Sequence, residues 1–338
     1  MIDFRSDTVT KPTKPMLTAM MSAKVGDDVF GEDGTVKTLE EKTAALFGME
    51  AGLFCPSGTM SNQIAIKCFT QPLDEVIADQ TAHVYRYEGG GIMFNSAASV
   101  RLLNGDRGII TAEMIEKEIN PVGNVHHPHT SLVVLENTVN RGGGSCYFLR
   151  DIAPIYNLCK LKNLKLHLDG ARIFNALAYT KDAAKDYGKY FDGISVCLSK
   201  GLGAPVGSVL LGSNETIKYA RRIRKVLGGG MRQAGFLAAA GIFALDHHVE
   251  RLAIDHRHAK LLEECLLSLP FVKQVLPVQT NIVIFELNEL KDAEHLLIEL
   301  KGNGILCGTF GVQTIRFVTH LDVDQEQIMQ TIAVLKSL

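Results

Sequence analysis

Along this chain, short continuous apolar runs alternate with longer stretches whose apolar residues recur at helical spacing. Thr35 to Gly48 reads as a helix, with Leu39, Ala44, Ala45 and Leu46 at that spacing and Gly48 just past the end. Gly58 to Cys68 predicts a second helix, after the turn Pro56-Ser57-Gly58. Leu132 to Leu135 predicts a strand, Ile152 to Leu161 a helix and Leu164 to Leu168 a strand, with Gly193 to Leu198 and Ser208 to Leu211 as further strands. Continuous apolar strands separated by helices belong to a mostly parallel sheet covered on both faces. Ala234 to Leu245, the longest near-apolar stretch, predicts a buried helix and is about half the ~20 residues a membrane span needs.

Beyond that helix the pattern changes. Val249 to Leu267 predicts a long amphipathic helix, Asn281 to Glu286 a strand, Lys291 to Lys301 a helix, Thr314 to Val318 a strand and Gln325 to Leu335 a closing helix. The expectation is an α/β protein with a large domain over residues 1–245 and a small α+β domain over 246–338. A chain of 338 residues is long for a single core, which agrees with two domains.

Composition narrows the function classes. Apolar residues make up 46% and charged residues 21%, the balance of a soluble globular protein. A net charge of −2 offers neither a basic footprint for nucleic acid nor a polybasic membrane patch. The 7 cysteines are scattered without a C-x-x-C pair, and several sit in apolar runs, which reads as reduced core thiols. The opening residues Met1-Ile-Asp-Phe-Arg-Ser-Asp-Thr show no apolar secretory segment, so a cytoplasmic location is expected.

Candidate chemistry centres on Lys200, which follows the strand run Ser195-Val-Cys-Leu-Ser199 and precedes Gly201-Leu-Gly203. A lysine placed so suits an amine that forms a Schiff base, and Asp169, at the end of the preceding strand, suits a partner for a pyridinium nitrogen. Both fall at carboxyl ends of strands, where ligands gather in open α/β sheets. Together they point to pyridoxal 5′-phosphate. Ser57-Gly58-Thr59 precedes a helix and reads either as an ordinary N-cap or as a phosphate cradle. No G-x-x-x-x-G-K-[ST] loop and no G-x-G-x-x-G occurs. His83, after the apolar Val76-Ile-Ala78, suits ring stacking or acid–base work. His126-His127-Pro-His129 invites a metal, yet no second ligand set supports one, and no metal is expected. Arg221, Arg222, Arg224 and Lys225 read mainly as a solvated basic face, with Arg232 following the triplet 228–230. Arg316 stands between Ile315 and Phe317 in a strand, where it either points to solvent or forks a carboxylate.

Taken together these residues resemble the low-specificity L-threonine aldolase family. The resemblance is carried by Asp3-Phe-Arg-Ser-Asp-Thr-Val-Thr10, Val25-Gly-Asp-Asp-Val-Phe-Gly-Glu-Asp33, Pro56-Ser-Gly-Thr-Met60 and Leu135-Glu-Asn-Thr138. It continues in His167-Leu-Asp-Gly-Ala-Arg-Ile-Phe-Asn175, Val196–Ser208, Leu227–Gly235 and Val318–Val323. It implies a pyridoxal-phosphate-dependent transferase fold of type I, with a seven-stranded sheet and residues 1–35 contributing to the site. By position it implies Lys200 as the Schiff-base lysine, Asp169 at the pyridine nitrogen, and Arg172 beside the phenolic oxygen. Ser57, Gly58 and Thr59 would hold the phosphate with Arg232 from a second subunit, and His83 would stack on the ring. Ser6 and Arg316, with Arg172 nearby and Lys225 of the neighbour, would grip the substrate carboxylate, and either His83 or His126 would serve as base. A homotetramer of active dimers is implied, and aldol cleavage of L-threonine, L-allo-threonine or related β-hydroxy-α-amino acids. A β-eliminating lyase, a racemase or a non-catalytic relative would share much of the same frame. The chain departs from the family pattern at Gly34, where proline is common, and at Val139, where histidine is.

Overall fold

The computed structural model describes residues 1–338. In chain order it begins with β1 (Ile2–Asp3), α1 (Lys14–Met21) and α2 (Gly34–Phe47). Next come β2 (Ala51–Cys55), α3 (Gly58–Phe69), β3 (Asp74–Asp79), α4 (His83–Arg86), α5 (Gly91–Ser96) and β4 (Ser99–Leu103). The middle runs α6 (Ala112–Glu118), β5 (His129–Glu136), α7 (Leu149–Lys162), β6 (Lys165–Gly170), α8 (Ile173–Thr180), α9 (Ala184–Tyr187), β7 (Gly193–Cys197) and β8 (Ser208–Gly212). Three helices follow: α10 (Asn214–Val226), α11 (Gly235–His247) and α12 (Leu252–Leu267). The remainder is β9 (Val272–Val275), β10 (Ile282–Leu287), α13 (Ala293–Gly302), β11 (Ile305–Leu306), β12 (Gly308–Gly311), β13 (Thr314–Val318) and α14 (Gln325–Ser337).

Seven strands form one sheet in the order β2-β8-β7-β6-β5-β3-β4. The pairs among β3 to β7 are parallel, and β8 runs against both β7 and β2. The expected mostly parallel sheet is present, with β8 as its one reversed strand. The apolar runs predicted β5 to β8; β2, β3 and β4 went unpredicted. Edge strand β4 (Ser99-Val-Arg-Leu-Leu) is largely exposed, so its sequence lacks the continuous apolar run of a covered strand. Leu39, Phe47, Ile77, Val133, Leu168 and Val196 share the main core between sheet and helices. Helix α11 is buried through Ala238–Gly241, Ala244 and Leu245, while Phe236 is exposed.

A second, antiparallel sheet of four strands runs β12-β13-β10-β9, and β1 pairs in parallel with β11. Ile2 and Phe4 pack in the same core as Leu262, Phe285, Leu296, Phe317 and Leu335. The first residues of the chain are therefore stitched to its last quarter. The chain then crosses back, so that Ser6 and Asp7 lie between the two sheets' layers: Asp7 Oδ2 accepts from Asn281 Nδ2 (3.3 Å) on one side and from Arg172 Nε (2.7 Å) on the other.

Asp33 anchors the loop before α2. It caps that helix through Thr35 and Val36 N–H, and also accepts from the Gly26 and Gly235 amides. A Cβ on Gly235 would lie 2.4 Å from Asp33 Oδ1, so only glycine permits this approach.

Candidate active site

The loop after β7 is what holds Lys200. Leu198 N–H donates to the Gly207 carbonyl (3.0 Å), Gly203 N–H to that of Lys200 (2.8 Å), and Ala204 N–H to that of Leu198 (3.1 Å). The turn needs Gly207 at φ +110°, and a Cβ there would lie 2.5 Å from the Phe54 ring. Lys200 is thereby delivered to a cavity of about 860 Å³, lined also by Ser6, Thr8, His83, Tyr87, Asn140, Arg141, Arg172, Thr309–Val312 and Arg316.

The structure thus brings Ser6, His83, Arg172, Lys200 and Arg316 together from segments far apart in sequence. Asp169, at the end of β6, is buried below His83. Its Oδ1 accepts from Ala171 N–H (3.1 Å), while its Oδ2 is out of solvent with no hydrogen-bond partner. An unpartnered buried carboxylate oxygen is costly unless a donor is supplied. The imidazole of His83 and the carboxylates of Glu88 and Asp169 come within 4.8 Å of one another.

The cradle segment lies close by. Ser57 Oγ caps α3 by accepting from Met60 N–H (3.2 Å), which leaves its O–H free to donate, and Thr59 is exposed. Space above Gly58 is open: a Cβ there would meet only Cys197 Sγ, at 3.9 Å. Cys197 Sγ lies 3.6 Å from the hydroxyl of Ser199, the neighbour of Lys200. An open helix N-terminus of twelve residues therefore faces the end of β7.

Asp169 and the cradle residues stand outside the cavity's lining proper, and His126, Lys225 and Arg232 are not part of it either. His126 sits on an exposed loop, where its amide donates to Asn124 Oδ1 (3.0 Å). The loop connects α6 to β5, and its apolar residues Val122 and Val125 are themselves exposed, so the motif alone does not say how far it stands from the site. Lys225 is exposed at the end of α10, and exposed Arg232 pairs with Asp27 (2.9 Å). A separate cavity of about 660 Å³, lined by Asp28, Asp33, Glu40, Arg221 and others, contains none of the predicted residues.

Sequence reasoning passed over several residues. Asp7, fully buried, clamps Arg172 through two 2.7 Å bonds. Burial alone would raise the Asp7 carboxyl, yet the Arg172 guanidinium and the Lys200 ammonium hold it at about 2. Glu136 accepts from the amides of His83 (2.9 Å) and Asn140 (2.9 Å); burial, reinforced by the Asp169 charge, pushes it up to about 7. The block containing Asp7 was legible as a motif, but the partner that makes it matter was not.

Arg316 points away from the core that Ile315 and Phe317 enter, as strand alternation dictates. Its Nη1 donates to Asn140 Oδ1 (2.8 Å) and its Nη2 to the Arg5 carbonyl (2.9 Å), and Phe310 lies 4.6 Å beneath it. Burial and the nearby Arg172 charge both disfavour its cation, a deficit that a bound carboxylate relieves.

Residues 3–289 match the family model described as beta-eliminating lyase. The chain is 41% identical over 337 residues to a probable low-specificity L-threonine aldolase of Arabidopsis thaliana, covering 97% of this chain and 95% of that one. It is 40% identical over 334 residues to the low specificity L-threonine aldolase of Escherichia coli strain K12, covering 98% of each. A threonine aldolase structure from Leishmania major superposes with a TM-score of 0.85 at 22% identity, covering 100% of this chain and 99% of that one.

Proposed function

The chain belongs to the low-specificity L-threonine aldolases within the beta-eliminating lyase family, and from that premise we propose that the Lys200 cavity cleaves L-threonine, L-allo-threonine and related β-hydroxy-α-amino acids to glycine and an aldehyde. Pyridoxal 5′-phosphate is the cofactor, and the residues present fit it. The observation that carries the reading is the unpartnered Asp169 Oδ2, buried below His83, with Lys200 and Arg316 lining the cavity alongside that imidazole. Asp169 Oδ2 would accept the pyridinium N–H, Lys200 Nζ would hold the cofactor covalently, and Arg172 would lie beside its phenolic oxygen. Amides at Gly58 and Thr59, with the Ser57 and Thr59 hydroxyls, would receive the phosphate. Once bound, the cofactor supplies the sink for the electron pair released when Cα–Cβ breaks.

The protein's own residues do the rest. Arg316, fixed by Asn140 and the Arg5 carbonyl, forks the substrate carboxylate, and Ser6 adds a hydroxyl. Gripping the carboxylate fixes the rotation about Cα, which selects the bond that breaks. His83 takes the hydroxyl proton at Nε2, because it lines the cavity where His126 does not. The partner subunit's Lys225 and Arg232 complete the substrate and phosphate sites, in a homotetramer of active dimers; both stand exposed and neither lines its own protomer's cavity. All seven cysteines are unpaired, which supports a cytoplasmic setting. No helix is long and apolar enough to cross a membrane.

The test is the visible spectrum of the purified protein, repeated with glycine, followed by aldehyde assays on L-threonine and L-allo-threonine. A cofactor band perturbed by glycine, with acetaldehyde from either isomer, is expected. Pyruvate and ammonia without aldehyde would move the assignment to β-elimination. A protein that stays colourless after added pyridoxal phosphate would overturn it.

A further inference from the structure

Under His83 lies a carboxylate that the chemistry above does not use. The Glu88 side chain has no solvent exposure (0%), and three groups converge on it. From α3, Asn62 Nδ2 donates to Oε1 (3.0 Å) and Gln63 Nε2 to Oε2 (2.7 Å); His83 Nδ1 lies 3.1 Å from Oε1. The turn Gly89–Gly91 returns the chain tightly enough for this. A Cβ on Gly91 would lie 2.6 Å from the Gln63 carboxamide, so the close approach of α5 to α3 depends on glycine there. Asn95 Nδ2 donates to Gln63 Oε1 (3.2 Å), which keeps the Gln63 NH₂ turned toward Glu88.

With the Gln63 and Asn62 NH₂ groups donating to the two Glu88 oxygens, the hydrogen between Glu88 and His83 belongs on Nδ1. A neutral ring protonated at Nδ1 carries its lone pair on Nε2, the atom required of a base. We propose that Glu88 is a positioning residue, which fixes His83 in the Nδ1–H tautomer and steadies the imidazolium formed when Nε2 takes a proton. The inference rests on His83 as the base of the aldol cleavage. It adds a residue between the first-contact histidine and the helix behind it.

Electrostatics agree with the geometry. Burial works against the His83 cation, yet the Glu88 hydrogen bond and the Asp169 charge outweigh it and raise the imidazole pKa, with Lys200 opposing. The groups facing the ring are thus Glu88 from the turn after α4, Asp169 from the end of β6 and Lys200 from the loop after β7. Glu136, at the end of β5, is bonded to the His83 amide, and Tyr87 lies 5.6 Å from the ring centroid to centroid.

The decisive experiment is a long-range ¹H–¹⁵N titration of the histidines in the full-length holoenzyme, with His83→Asn to identify the signal. The expected wild-type result is a neutral His83 bearing its hydrogen on Nδ1. In Glu88→Gln the His83 midpoint should fall by roughly one to two pH units. The acid limb of kcat/KM should move to lower pH with it, because a lower pKa frees the base earlier. The double variant His83→Asn/Glu88→Gln should lose no more kcat than His83→Asn alone. An Nε2–H tautomer in the wild type would overturn the proposal without any variant, even if Glu88→Gln failed to fold. An unmoved midpoint, or an additive double variant, would overturn it equally. If the wild type released no aldehyde, the proposed reaction would fall, whereas the tautomer and midpoint would still decide the Glu88–His83 pairing.

Discussion

The two walls of the cavity are built differently. One is made from strand ends of the large sheet: Asp169, Glu136 and the loop around Lys200 are held by backbone hydrogen bonds and packed from below by Val196, Leu168 and Val133. The other is the β12–β13 hairpin of the small sheet, where Phe310 and Arg316 are partly buried and Val312 is 94% exposed at the tip. The hydrogen bonds of Arg316 go to groups borrowed from elsewhere, Asn140 and the Arg5 carbonyl, above the hairpin's own Phe310 ring. On the proposed reading, the sheet wall holds the groups with an electronic role and the more exposed hairpin wall holds the carboxylate grip.

This contrast can be broken from either side. Lys200→Ala should abolish turnover, with kcat falling on the order of 10⁴-fold or more, while far-ultraviolet circular dichroism stays unchanged. Normal turnover in that variant would remove the sheet wall's chemical role altogether. Arg316→Lys keeps charge but loses the planar fork, so KM for threonine should rise roughly 10- to 100-fold with kcat less affected. A loss confined to kcat would place Arg316 in the chemistry instead.

The seam between the walls has its own signature in acid. Asp7 is held at about 2 against an ordinary 3.8, so its ionised form stabilises the fold by about 2 kcal/mol. That contribution is complete above the unfolded value and disappears as pH falls through about 2. Denaturant midpoints of Asp7→Asn and wild type should therefore differ most near neutrality and converge in strong acid. On the hairpin, Phe310→Ala removes the ring under Arg316 and should raise KM a few-fold, matching a cation–π contact of about 1 kcal/mol. The smallest effect belongs to Gly34→Pro. Gly34 opens α2, Asp33 before it is extended (φ −79°, ψ 97°), and a Cβ at 34 meets nothing within 4 Å. Stability should rise by about 0.4–1 kcal/mol with kinetics unchanged.

Legibility in the sequence followed range. Lys200 and Asp169 could be read because their signals are local: an apolar strand, then glycine or a turn. Arg316 was legible as an arginine in a strand, but its direction depended on which face the small core covers. Asp7 and Glu88 were opaque as individual residues. Each lies in a polar stretch, and each acquires meaning from a partner, Arg172 165 positions away and Gln63 25 positions away. His126 shows the converse case, since a suggestive motif sits on a loop that the fold leaves outside the cavity. Strand β4 escaped for the same physical reason that it lies at an edge: half of it needs no apolar partner.

The pairing of Ile2 with Ile305 also sets a timetable for the newborn chain. Ribosomes add roughly 5–20 residues per second, so β1 waits roughly 15–60 s after its own emergence before β11 exists to receive it. Until then the segment before Ser6 and Asp7 lacks the pairing that ties it to the small sheet. The large sheet can assemble while translation continues, but the catalytic cavity is closed only by the last quarter of the message.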